Sequence, residues 1–434
     1  AARALAVLGL PDGAEVDLAA AAALLDLAPV DADRIVERLV DSQLLETPAP
    51  GRYRLHDLVR LFARSLPHDD RDALPRLLRW YVATCWQAFR VLRPADARVT
   101  TAGAWAEGGL AFADVAPALD WLETERPNLL AAAHQVAASP DLPAAAATQL
   151  ARALFAFFHV RGYLNDWVDV NQVARAVARR VGDRVAQAHA CRDLGAAHEL
   201  RGEYAPALES LRDGLAGYET AGDLAGQAAC LNSIGLVHDS LGQLADAASC
   251  LERSLAISRD LADRHSQAIS LNNLGEVYGR LGAHERALDS LAEALGIFAG
   301  NGNRPSGAAV QANLGEVHEQ RGAYSDARAC YEDSLATYRE LDAPVGQATV
   351  LTALGRVLRR QDRRPEALAC LREALAIAER VNEPRSAAIC LRELGVLARE
   401  RGEPAAARAY WRRSAALFDE LGVPEADEVR ALLS

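Results

Sequence analysis

The sequence predicts an all-α chain: a superhelical solenoid of paired helices, preceded by a small helical domain with a wing hairpin and by a helical linker. Three observations carry this. A leucine-glycine pattern recurs at one fixed interval through the C-terminal two-thirds, as in Leu274-Gly275, Leu314-Gly315 and Leu354-Gly355. Ala and Leu dominate while aromatics make up 6% of the chain, which favours many thin helix-on-helix contacts over one thick core. The segment up to Ser65 lacks that period and carries its own order of helices and a hairpin.

The 434 residues, 50% hydrophobic and 24% charged, are those of a folded protein of two or three domains. Met is absent, position 1 included, so an internal piece of a longer protein is expected. All 47 basic residues are arginines. That excludes a lysine-bearing phosphate loop, Schiff-base chemistry and a lysine general base within these residues. An all-Arg, Ala-rich chain also points to a GC-rich bacterial gene. With 59 acidic residues the net charge is −12, a poor match to the anionic surfaces of nucleic acids and membranes. No uncharged apolar run is long enough to cross a membrane, and no signal-peptide pattern opens the chain. The seven cysteines are odd in number and show no C-x-x-C pair. They read as buried small hydrophobes in a reducing cytoplasm, not as disulfides or zinc ligands.

Taken in order, residues 3–10, 17–27 and 31–43 read as three helices, with Ile35, Val36, Leu39 and Val40 facing inward. Residues 44–47 and 52–55 flank Pro48-Ala49-Pro50-Gly51 as a wing hairpin. Helix resumes from His56 to about Ser65. Three helices and a wing make a winged helix, placed at 1–66. Its charge argues against direct DNA contact: residues 1–70 hold seven Arg against twelve Asp and Glu. The third helix carries Asp31, Asp33, Glu37 and Asp41 against Arg34 and Arg38, where phosphate contacts need the opposite sign.

Residues 67–146 form the linker: a polar junction at 67–75, an aromatic-rich amphipathic helix over 77–92, a Gly/Ala/Pro-rich strap over 94–116, and the run Asp120–Leu130, which resembles a helical linker between winged helix and repeats.

The periodic part spans 147–426. Leu154, Leu194, Ile234, Leu274, Leu314, Leu354 and Leu394 are 40 apart, which makes seven copies, the first degenerate. Gly follows at 195, 235, 275, 315, 355 and 395, inside the first helix of each pair. There it costs about 1 kcal/mol against Ala, so a neighbouring helix is expected to approach closely. A second Gly at 162, 202, 242, 282, 322 and 402 ends that helix, with Asp362 the exception. Ala recurs at 207, 247, 287, 327, 367 and 407 in the second helix. Residues 427–434 are left as a capping tail. Cys250, Cys330 and Cys370 share a column with Ser210 and Ser290. Cys230 and Cys390 share one with Val310 and Val350. Both columns read as packing.

This pattern resembles the tetratricopeptide repeat, with a longer period than that family's usual one of about 34 residues, which implies longer helices or loops and a concave face built from the first helices. The run Gly51-Arg-Tyr-Arg-Leu-His56-Asp57-Leu-Val-Arg60 resembles the end of the winged helix of STAND signal-transduction ATPases with NB-ARC nucleotide domains. The antibiotic-regulatory activators of that class carry tetratricopeptide repeats at the C-terminus. Leu55-His56-Asp57 matches their Met-His-Asp motif. The resemblance implies that His56 senses the β-phosphate of ADP, with Asp57 supporting it. The nucleotide domain is absent from this chain, so ADP or ATP is expected only in a parent protein, and His56 alone binds none.

Catalytic motifs are poor: His198-Glu199 and His318-Glu319 lack a second His, and no Gly-x-Ser-x-Gly is present. Gly300-Asn301-Gly302 with Gly307 mimics a dinucleotide fingerprint but lies between repeats with no strand before it. His198, His238 and His318 share a packing column and no metal site is expected. The candidate effector groove is Arg192, Asn232, Asn272, Glu276, Glu316, Arg356, Arg359, Arg392 and Arg399. It is acidic and amide-rich in the middle and Arg-rich toward the C-terminal end. Asn can pair with a ligand amide and Arg can clamp a carboxylate, which suits a peptide, a protein segment or a polar metabolite.

The resulting expectation is the regulatory and sensor half of a STAND-type transcriptional regulator. It would control an intramolecular nucleotide domain, be monomeric alone, and oligomerise when the parent is activated. The alternative is a free-standing adaptor for protein–protein interaction; an enzyme and a direct DNA binder are weaker rivals.

Overall fold

A computed structural model describes every residue except 1, 95, 97, 100, 101, 422, 424 and 434. It divides into two compact units, Ala1–Val237 and His238–Ser434.

The N-terminal unit opens with α1 (Ala2–Leu8), β1 (Val16–Asp17), α2 (Leu18–Leu25), α3 (Pro29–Asp41), β2 (Glu46–Ala49), β3 (Arg52–Arg54) and α4 (Asp57–Ser65). The strands pair antiparallel in the order β1-β3-β2, with Val16 opposite Tyr53 and Glu46 opposite Arg54. This is the element order of a winged helix. The two-residue β1 is too short to leave a periodic signal, and it occupies the predicted start of the second helix. Asp17 both pairs with Arg52 and caps α2, its carboxylate accepting from Ala20 N at 2.6 Å. Asp26, in the left-handed region at φ 57°, ends α2 earlier than predicted. Pro29 starts α3 two residues early, because a first-turn position needs no amide donor.

The linker holds α5 (Ala73–Leu92), a 3-10 turn at Gly103–Ala106, and α6 (Val115–Ala138). Pro75 sits in the first turn of α5, so the helix begins before the predicted Leu77. Tyr81, Trp86 and Phe89 of α5 and Leu122 and Leu129 of α6 enter one core with Leu5, Leu24 and Val36 of the winged helix. Part of the strap lies outside the described residues.

Then come α7 (Ala144–Arg161), α8 (Leu164–Val181), α9 (Arg184–Leu200), α10 (Tyr204–Ala221) and α11 (Leu224–Ser240). The C-terminal unit continues with α12 (Leu244–Asp260), α13 (Arg264–Arg280), α14 (His284–Gly300), α15 (Arg304–Gln320), α16 (Tyr324–Glu340), α17 (Pro344–Arg360), α18 (Arg364–Arg380), α19 (Pro384–Glu400), α20 (Pro404–Leu421) and α21 (Glu425–Ala431).

The true period is one helix and one turn, half of the sequence period. From α12 to α19 every helix has the same length and every turn between helices has three residues. Uniformly long helices, not long loops, therefore make the pair longer than the standard repeat. Each of these turns, with the turn before α12 and the turn after α19, holds one left-handed residue: Gly242, Ala262, Gly282, Gly302, Gly322, Asp342, Asp362, Asn382 and Gly402, with φ from 48° to 77°. Only alternate turns are visible in the sequence, because the turns between them carry Ala262, Asp342 and Asn382, with Gly302 the one glycine among these four.

The buried glycines do what their cost implies. A Cβ on Gly355 would lie 2.7 Å from Leu371 Cγ, and one on Gly315 would lie 2.7 Å from the Tyr331 ring. The two helices of a pair touch backbone to side chain at that level. Further along, Ser334 donates to Ala308 O and Ser414 to Ala388 O, each at 2.7 Å. Small residues are needed there too, and Ala recurs at 188, 228, 268, 308, 348 and 388. Cys85, Cys191, Cys230 and Cys390 are buried and Cys250, Cys330 and Cys370 half-buried.

Candidate functional site

In the C-terminal unit the first helices of successive pairs, α13, α15, α17 and α19, lie side by side. Three of them enclose a cavity of about 290 Å³. Its apolar lining is Val350, Ala353, Ile389 and the Tyr331 ring; Glu316 stands on α15 and Arg392 on α19, the helices on either side of α17. Thr349 and Thr352 turn their hydroxyls back to Val345 O at 3.1 Å and Ala348 O at 2.8 Å. The remaining polar lining comes from all three helices: Asn313 beside Glu316 on α15, Arg356 on α17, and Ser386 beside Arg392 on α19. Such a cavity can hold an extended segment with an apolar side chain and ends or side chains of opposite charge.

The structure brings Glu316 and Arg392 to this cavity, along with Arg356. Arg392 is only loosely engaged, its Nε 3.6 Å from Glu393. Arg356 is committed elsewhere: it donates to both Glu319 oxygens at 2.7 and 2.8 Å. Arg359 is nearly buried, donating to Glu400 at 2.5 Å with Glu393 at 4.0 Å. Arg399 is exposed and lies over the Trp411 ring at 5.1 Å, away from the cavity. Asn272, Glu276 and Asn313 form a network between α13 and α15. Asn272 donates to Glu276 at 3.0 Å, and Asn313 donates to Asn272 at 3.0 Å and to Glu276 at 2.6 Å. Protein atoms crowd Glu276 although solvent reaches it, and that desolvation pushes its carboxyl above its ordinary range.

In the N-terminal unit Asn232 is half-buried on α11. Arg192 is tied into a charged cluster that the sequence reading missed. Arg98 of the strap donates both guanidinium nitrogens to Asp193 at 3.0 Å and stacks on the Phe155 ring at 3.7 Å. Arg192 approaches the same carboxylate at 3.3 Å. Burial opposes the Asp193 charge, yet Arg98 and Arg192 hold its carboxyl below the usual range. Burial first, then Arg152 and Arg192, push the neighbouring His189 down to about 3. The strap thus covers this stretch of the α9 face, leaving Arg192 in a structural ion cluster.

His56 caps α4, its Nδ1 facing Leu58 N at 3.4 Å. His56 and Asp57 are both exposed, and beside them α4 exposes Leu58, Leu61 and Phe62. The strand that delivers His56 is anchored from behind. Arg52 of β3 donates to Glu125 of α6 at 2.5 Å and to Glu15 at 2.8 Å. Glu125 is fully buried and also accepts from Asn128 at 2.7 Å. Gln135 of α6 bonds Leu10 O and Asp12 N. On its other side α6 meets α8 through Arg126–Asp166 at 2.6 Å and His134–Asp169 at 2.7 Å.

Gly302 takes the left-handed turn after α14, and Gly307 lies within α15. The glycine run is therefore a repeat junction. Among the described residues no group of three or more His, Cys, Asp or Glu could hold a metal, and no helix is long and apolar enough to cross a membrane.

A family model for the tetratricopeptide repeat matches residues 226–299, 266–340 and 346–420. The regulatory protein AfsR of Streptomyces coelicolor is 45% identical over 151 residues, covering 32% of this chain and 15% of the relative. The AfsR of Streptomyces griseus is 38% identical over 213 residues, covering 48% and 22%. The chain thus spans less than a quarter of the length of these relatives. Among solved structures, a Signal Transduction ATPase with Numerous Domains with a tetratricopeptide repeat sensor, from Pyrococcus horikoshii, superposes with a TM-score of 0.53 at 15% identity, over 100% of this chain and 65% of that one. A Rap protein complexed with competence and sporulation factor gives 0.52 at 13% identity, over 82% and 97%. These two likenesses show the fold. Within the matched residues the helix pairs are tetratricopeptide repeats. Over the stretches given, the chain is similar to the two AfsR regulatory proteins, and its fold is like that of the STAND protein with a tetratricopeptide repeat sensor.

Proposed function

We propose that the chain is the sensor module of such a regulator. The cavity between α15, α17 and α19 takes an effector, and the winged helix passes its occupancy to a nucleotide-binding domain. The observation that carries the reading is the cavity itself, a pocket of mixed lining that joins Val350, Ala353 and Ile389 to Glu316, Arg356 and Arg392, on the face that repeats of this kind use for ligands. The Rap protein of similar fold, complexed with a factor, supports an effector that is a peptide or protein segment.

His56 and Asp57 are exposed at the start of α4, where a second domain can reach them. One imidazole fits a single contact to a phosphate and cannot cradle a nucleotide, so the remaining donors must come from that domain. Bound ADP would supply the phosphate charge that favours one state of the regulator. This chain's part is to hold the imidazole in place through Arg52–Glu125 and the α6 contacts to α8. An effector shifts the balance only if it binds the two states with different affinity.

The test is to fill the cavity. Ala353→Trp in the full-length regulator should abolish the response of its regulated output to effector while the protein keeps its melting temperature. Arg392→Ala should weaken the response without abolishing it. An unchanged dose–response in Ala353→Trp would sink the assignment.

A further inference from the structure

The repeats serve as one another's controls, and one junction departs from its siblings in two independent ways. The second helices α12, α14, α16, α18 and α20 form the opposite layer of the C-terminal unit. Neighbouring members of this layer are bridged by ion pairs between residues 34 apart. Arg259 donates to both Glu293 oxygens at 2.8 and 2.9 Å, Arg339 to Glu373 at 2.7 Å, and Arg413 to Glu379 at 2.7 Å. At the same register between α14 and α16 stand Ala299 and Asp333. The acid is kept and its arginine is gone.

The second departure lies beneath it. A Gln near the start of the first helix plugs three of the junctions, while α19 has Ala387 at that position. Gln227, Gln267 and Gln347 donate to the carbonyl nine residues earlier, at 3.4, 3.0 and 3.1 Å. The corresponding residue of α15 is Gly307, where a Cβ would meet only Leu295 at an ordinary 3.8 Å. Gly costs helix stability, and here no close packing requires it, unlike Gly315 or Gly355. The result is an open cavity of about 250 Å³. Leu295 and Phe298 line its apolar part, and Gln311, Asp333 and Thr337 its polar part. Arg304 also reaches it but is already paired with Glu340. The contact of Asp333 with Gln311 is a long 3.4 Å.

We propose that this cavity docks one cationic side chain, an arginine or lysine, presented by a partner polypeptide. Its aliphatic stem replaces the missing Gln along Leu295 and Phe298, and its charged head pairs with Asp333 as Arg259 and Arg339 pair with their acids. The chain's net charge of −12 favours a basic partner. The site borders α15 and α16, as the effector cavity does, but the two share no lining residue, so the two readings stand or fall separately.

The probe is the acetylated and amidated tripeptide Gly-Arg-Gly, read by saturation-transfer NMR on the whole chain, with the citrulline tripeptide as the neutral isostere. The arginine methylenes should receive saturation at about 10 mM peptide, a range set by one exposed ion pair. The citrulline signal should be several-fold weaker. Gly307→Gln and Ala299→Arg, which restore the sibling plug and the sibling ion pair, should each abolish the signal while melting at or above the parent temperature, so loss of binding is not loss of fold. Asp333→Asn should reduce the arginine signal to the citrulline level. No signal from the parent chain, equal signals from arginine and citrulline, or undiminished signal in both refilled variants would each overturn the proposal.

Discussion

The two units hold their charges in opposite ways. In the N-terminal unit the strong pairs are buried and join residues far apart in sequence. Glu125 is 0% exposed and meets Arg52 from 73 residues away; the Asp193 side chain is 1% exposed and meets Arg98 from 95 away. In the C-terminal unit the recurrent pairs between second helices join residues 34 apart and face solvent, as with Arg259–Glu293 and Arg339–Glu373 at about half exposure. A buried pair makes its partners mutually dependent, whereas a surface pair contributes little. The first unit is therefore locked as one core around α5 and α6, and the second draws its stability from the repeated small-residue crossings.

That contrast can be broken at four points. The largest effect is expected at Asp193→Ala, which leaves Arg98 and Arg192 crowded without their shared carboxylate. It should cost about 3–5 kcal/mol in a urea titration that follows the N-terminal unit. Gly355→Ala comes next: its Cβ must push into Leu371, and overpacking of this kind costs about 1–3 kcal/mol. A substitution there that left the melting temperature unchanged would remove the packing account of the repeat.

A pH effect follows for Glu199, which burial lifts from 4.5 to about 6. Between those values the native chain binds more protons than the unfolded one, so this residue makes stability fall as pH rises through that window. Glu199→Gln should flatten the slope and raise stability above pH 6 by at most about 2 kcal/mol. The smallest effect is Glu373→Ala, expected below about 1 kcal/mol because both partners are solvated. A loss as large as that at Asp193 would erase the distinction between the units.

The same contrast decides what was legible. The helix pairs were readable because Leu194, Gly195, Ala207 and their equivalents return at fixed intervals. The rhythm of one turn per helix was half hidden, since a left-handed Ala262, Asp342 or Asn382 looks like any other residue in sequence. At the candidate cavity, Glu316 and Arg392 were named from their columns. The commitment of Arg356 to Glu319 and of Arg359 to Glu400 was not, although those acids stand one repeat away, 37 and 41 residues distant. Asking what each arginine faces in the adjacent repeat would have found them. Nothing in the sequence pointed to Arg98–Asp193 or Arg52–Glu125, because neither the strap nor the wing repeats.

The central claim, a sensor module that governs a nucleotide domain through His56, is tested most directly by reading the codons that precede Ala1 in the gene. The account predicts a domain containing Gly-x-x-x-x-Gly-Lys-Ser/Thr between a strand and a helix, joined directly to this winged helix. An immediate start codon or an unrelated domain would contradict it.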